Sequence, residues 1–112
     1  MKEMKQYDRK SEEFVKVANG MSDIGAFLLS RMSLQACQSL LEKSKESVRP
    51  VDLLPFLDPA EYFFELINGM LNIHDGLCTR EEGFANLLEL IQRGARQALT
   101  QFLMNRKMSE VK

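Results

Sequence analysis

The densest group of side chains able to do chemistry is His74, Asp75, Cys78, Glu81 and Glu82. An imidazole, a thiol and carboxylates are the groups that hold zinc or exchange protons. Their spacing argues against both uses. His74 is the one histidine of the chain, so a multi-histidine metal centre cannot form within one subunit. Cys78 acting as a nucleophile would need His74 as its base, yet no oxyanion donor or orienting third residue accompanies the pair. Asp75 and Glu82 have turn and capping roles that account for them without a ligand. The sequence also has no glycine-rich phosphate loop, no Gly-x-Ser-x-Gly elbow and no paired histidines on a helix. No residue is therefore assigned a catalytic, cofactor-binding or metal-ligating role, and an enzyme or metal/thiol site at this turn is kept as the competing reading. Cys37 and Cys78 share no metal or redox spacing and read as reduced, buried thiols.

The elements that place this turn are helices. Nowhere does apolar/polar alternation persist long enough for a strand, and β-branched runs are scarce. Thr79-Arg80-Glu81-Glu82 fits a capping box that opens a helix reaching Lys107. At about 100° per residue, Phe84, Leu87, Leu88, Ile91, Ala95, Ala98, Leu99 and Phe102 form one stripe, opposite Asn86, Glu89, Arg93, Arg96 and Thr100. Before it, Asp58-Pro59-Ala60-Glu61 starts another helix, with Asp58 as cap, and Asp75-Gly76 stops it. Tyr62, Phe63, Leu66, Ile67, Met70 and Ile73 supply its buried side. Phe64 widens the apolar arc, which implies a central position or an additional partner.

Upstream, Ser11-Glu12-Glu13 begins a helix carrying Phe14, Val17, Ala18 and Met21 on one face. Asn19-Gly20 weakens it and Ser22-Asp23 offers a restart, after which Ile24, Phe27, Leu28, Met32, Leu34, Cys37, Leu40 and Leu41 continue the pattern to about Lys45. Arg49-Pro50 is a break, because proline drives Arg49 from the α region. Val51 to Leu57, interrupted by Pro55, reads as a short turn or packed loop.

Aligned at an offset of 49, Glu12–Ile24 and Glu61–Ile73 match at six of thirteen positions, including Asn-Gly-Met. A duplicated hairpin, 11–47 and 59–107, is one explanation. Chance similarity of two amphipathic helices is the stronger one, since repeat arrays need about three units. Gly20 and Gly69 occupy matched places on apolar helices, where a second backbone could approach; Gly94, Ala95 and Ala98 narrow the last helix in the same way.

Composition limits the function classes. A chain of 112 residues with 45% apolar and 28% charged residues suits one folded domain and not disorder. The first thirteen residues lack the apolar run of a secretory signal, and polar residues break up the most apolar window, Val17–Leu41, so a cytoplasmic protein without a membrane span is expected. Net charge is −1. Residues 51–90 carry eight acids against Arg80, while 91–112 carry five bases against Glu110. The basic end suits a solvated helix face and the helix dipole, which leaves weak nucleic-acid binding as a second alternative. Met21, Met32 and Met70 fit apolar faces; Met104 and Met108 are harder to place in a core.

The sequence thus predicts an all-α, single helical bundle of about four main helices over 11–107, with a flexible charged segment at 1–10 and a flexible tail at 108–112. Its expected role is that of a non-catalytic protein-binding module, such as a small adaptor, chaperone or regulatory subunit. The partner is an unidentified protein, with a second copy of the chain among the candidates. The contact candidates are Phe63, Phe64, Leu66, Leu87, Leu88, Ile91 and Leu99, several of which must also serve the core.

Overall fold

The computed structural model describes residues 4–110: helix α1 (Glu12–Lys43), a single turn α2 (Pro50–Leu53) followed by a 3-10 turn (Leu54–Phe56), α3 (Pro59–His74) and α4 (Arg80–Glu110). The architecture is an all-α bundle, 52 Å along its longest axis. Each start signal acts through the atoms expected. Ser11 Oγ accepts from the Phe14 N–H at 3.2 Å, and Asp58 Oδ1 from the Glu61 N–H at 3.3 Å. Thr79 and Glu82 cap reciprocally at 3.1 and 3.2 Å. α3 ends where Gly76 takes φ +72°, a conformation that costs glycine nothing.

α1 is one continuous helix of 32 residues. No hairpin forms between residues 11 and 47, because a glycine and a few poor helix formers cost about 1 kcal/mol or less each, and contact with both α3 and α4 outweighs that. The two matched segments are both helical and the chain diverges only beyond them. Leu28 and Arg31 continue α1, whereas their counterparts Leu77 and Arg80 fall in the turn after α3 and at the start of α4.

The core has two parts. Leu29, Ala36, Cys37, Leu53, Tyr62, Leu87, Ile91, Ala95 and Ala98 form the larger; Phe14, Ile67 and Leu71 form the smaller. The α4 stripe is the core stripe, and its opposite face is exposed as expected. Phe84, at the edge of that stripe, is half exposed, and Met104 and Met108 lie on the surface.

The glycines divide differently from the expected pattern. Gly20 stands in open space and admits no second backbone, which corrects its expected role. Gly69 faces the Gly83 carbonyl oxygen of α4, 3.8 Å from where a Cβ would stand. Gly25 makes room for the Phe63 ring, whose Cε2 lies 2.7 Å from a Cβ placed there, and Gly94 makes room for the Tyr62 hydroxyl. Among the described residues, no helix is long and apolar enough to cross a membrane.

Candidate functional site

Part of the wide apolar arc of α3 is covered from within the chain. Residues 5–9 run along α3 and are tied to it by hydrogen bonds between their backbone and side-chain amides of α3; residues 1–3 lie outside the described residues. Asn72 Oδ1 accepts from the Lys5 N–H at 2.7 Å, and Asn72 Nδ2 donates to the Lys5 carbonyl at 2.9 Å. One turn earlier, Asn68 Oδ1 accepts from the Tyr7 N–H at 2.9 Å. The spacing has a metric cause. Four residues of helix rise about 6.0 Å and two residues of irregular chain can span up to about 6.6 Å, so amides at i and i+4 can meet alternate residues of the arm. Lys5, Tyr7 and Arg9 therefore face α3. The Tyr7 hydroxyl donates to the Asp75 carboxylate, and Arg9 pairs with Glu61 at 2.9 Å while lying 4.4 Å from the Phe64 ring centre. Partial burial, and then the hydrogen bond to Asp75, push the Tyr7 pKa up to about 12.

This arm changes how the contact candidates are placed. Phe64 lies beneath Arg9 and against Phe14. Phe63 packs on Gly25, with Leu66 beside it. Leu87 and Ile91 are buried in the larger core, Leu99 is packed against it, and Leu88 is half-buried. These seven residues do not form one exposed patch.

Leu66 and Leu87 line a cleft of about 380 Å³ with Met21, Leu28 and the half-exposed Phe84, and a second open apolar surface lies on α1. Ile24 is 66% exposed, Phe27 65% and Leu34 43%, all on the side of the helix opposite Gly25, Leu29, Ser33 and Ala36, which face the core. Beside this line, a cleft of about 530 Å³ opens between α1 and the 3-10 turn with the start of α3. Its walls include Ala26, Leu29, Ser30, Leu54, Leu57 and Phe63, and among the described residues no charged side chain lines it. A trace of this surface is present in the sequence. At about 100° per residue, Ile24, Phe27 and Leu34 fall outside the arc of the buried residues, so α1 carries two apolar faces. The arm also leaves a trace, since asparagines four apart on an otherwise apolar face require hydrogen-bonding partners.

At the turn after α3, the structure brings Glu13 to His74 and Asp75, with one ligand atom of each within 4.8 Å of the others. All three are exposed, and Asp75 already binds Tyr7 and His74. Cys78 is not part of this group. Its sulfur lies 3.6 Å from where a Cβ on Gly83 would stand, and partial burial followed by the Glu82 charge pushes its thiol pKa up, which disfavours the thiolate a nucleophile needs. Comparison of the chain with protein-family models, with curated proteins and with solved structures finds no match.

Proposed function

We propose that the chain is a non-catalytic protein-binding module, of the kind that serves as an adaptor, chaperone or regulatory subunit, and that it works through the outer face of α1. One observation carries the reading: Ile24 and Phe27 stay about two-thirds exposed in a helix whose opposite face is fully used by the core. Single exposed apolar residues are ordinary, but Ile24, Phe27 and Leu34 share one line and adjoin a neutral apolar cleft. Burying one such side chain is worth roughly 1.5–3 kcal/mol, so a partner covering the line gains useful affinity. Catalysis has less support, because the one histidine and the nearby thiol do not face a common pocket with an oxyanion donor.

The test compares wild-type protein with an Ile24→Asp/Phe27→Asp variant. Both positions are exposed, so both proteins should give the same circular dichroism spectrum. Wild type should bind a hydrophobic dye and retain specific protein in affinity capture from its native cell, and the variant should lose both. Equal behaviour of the two proteins would refute this surface as the binding site.

A further inference from the structure

We propose that the occupant of this face is a second copy of the chain, with Phe27 of each copy seated in the cleft of the other and the two α1 helices parallel. The inference deepens the protein-binding reading and rests on it.

Both halves of such a contact are present on one helix. Around α1, the cleft-lining Ser22, Ala26, Ser30 and Ser33 occupy an arc of about 80°, and Ile24, Phe27, Arg31 and Leu34 occupy the neighbouring arc of about 80°. An isologous dimer requires a surface complementary to itself. A two-fold axis running parallel to α1 between these arcs lays the projecting side of each copy over the recessed side of the other, at unchanged height. Height is the condition that matters, and it is met: Phe27 lies level with Ala26 and Ser30 in the cleft wall. An antiparallel arrangement would set projection on projection.

Of the charges on this face, Asp23 falls between the two arcs and faces its own counterpart across the axis, whereas Arg31 finds an opposite charge in the same register. α1 and α3 run in opposite directions, since Phe14 packs with Ile67 and Leu71, Gly25 with Phe63, and the Leu29–Ser33 level of the cleft with Leu57 and Pro59. The antiparallel run of the two helices sets Arg31 near the level of Asp58, which stands in sequence between the cleft-lining Leu57 and Pro59. Arg31 is the one base of α1 between Lys16 and Lys43. In the parallel dimer it moves with Phe27 across the neutral cleft and meets the exposed Asp58 of the other copy. The walls of the cleft offer an entering phenyl ring only apolar groups and serine hydroxyls. A charged ligand would find no partner inside it.

The experiment measures mass by sedimentation equilibrium across concentrations from 1 to several hundred micromolar. Wild type should approach twice 12.9 kDa. Phe27→Ser removes the projection and Ala26→Trp fills the recess; each affects an exposed residue, and each should weaken dimerisation at least tenfold with helicity retained. Mixed together, these two variants should form a heterodimer through the one intact projection and the one intact recess. Arg31→Glu should weaken self-association, and adding Asp58→Lys should restore it, with circular dichroism confirming that α3 survives the lost cap. A wild-type monomer at every concentration overturns the proposal, as does a dimer indifferent to Phe27→Ser and Ala26→Trp. If the monomer still captures another protein in a Phe27-dependent way, self-pairing falls while the binding-module reading stands.

Discussion

The Tyr62 hydroxyl of α3 occupies the place where a side chain on Gly94 of α4 would begin. Gly94 is thus the point at which α4 accepts a rigid ring from its neighbour, within the larger core. In a helix interior, alanine normally exceeds glycine by about 1 kcal/mol. At Gly94 the clash should dominate, and Gly94→Ala should destabilise the fold by about 1–3 kcal/mol. Adding Tyr62→Phe should recover part of that loss by removing the colliding oxygen. Gly20→Ala is the control: nothing lies near it, and it should stabilise by about 0.5–1 kcal/mol. Thermal melts of the four proteins decide the point, and a Gly94→Ala variant as stable as Gly20→Ala would contradict this packing.

Replacing Asn72 should release the arm. Asn72 is fully buried and serves both backbone groups of Lys5 and the Asn68 carbonyl. Asn72→Ala removes the protein partner of both Lys5 backbone groups, which should cost about 1–3 kcal/mol. Limited proteolysis should then cut near Tyr7 well before any site in α1, whereas the wild-type arm should resist. Equal cleavage rates would show that the amides do not hold it.

Acid should weaken the fold in a way that single substitutions can dissect. Asp75 is held below the usual carboxylate range, first by the Tyr7 hydrogen bond and then by that from His74; Glu61 is lowered by Arg9 and Asp52 by Arg49. A carboxylate with a depressed folded pKa contributes stability above its unfolded pKa, and that contribution disappears as pH falls through the folded value. Glu65 acts in reverse, because burial raises its pKa and its penalty is relieved on acidification. The melting temperature should fall as pH drops below about 4. Asp75→Asn should make the decline shallower and Glu65→Gln should make it steeper. A decline unchanged by Asp75→Asn would remove the Tyr7–Asp75 contact from the explanation.

Zinc distinguishes the competing reading of the turn. Glu13, His74 and Asp75 converge, but on exposed side chains, one of them already bonded to Tyr7. Micromolar zinc should leave the melting temperature unchanged, since a ligand stabilises only when its concentration exceeds its dissociation constant. A rise that is present in wild type and abolished by His74→Ala would reinstate a metal site.

What the sequence made legible was local. Caps at Ser11, Asp58 and Thr79 depend on residues three apart, and the α4 stripe depends on one helix's period, so both could be read directly. The unreadable parts depend on tertiary pairing. Whether Gly20 or Gly94 meets a neighbour is decided by where Tyr62 lands, some thirty residues from Gly94. The continuity of α1 is decided by the support it receives from α3 and α4. The contact candidates on α3 and α4 rest on excess apolar arc, part of which is absorbed on α3 by Tyr7 and Arg9, seven and nine residues into the chain. A face left open, Ile24-Phe27-Leu34, belongs to the helix whose two apolar sides had merged into a single pattern.

The arm held by Asn68 and Asn72 sets an order of assembly. Lys5 and Asn72 are 67 positions apart, so the segment synthesised early has no seat until α3 has been made. Until then the polar amides of α3 and the apolar ring of Tyr7 are both in water. Docking also demands that α3 already be helical there, because the helical rise sets the two asparagines on one face, in step with Lys5 and Tyr7 of the arm. Closure of the arm is therefore a late, long-range event that registers the correct formation of α3. A chain whose α3 is frayed or mis-set would leave residues 5–9 exposed to proteases.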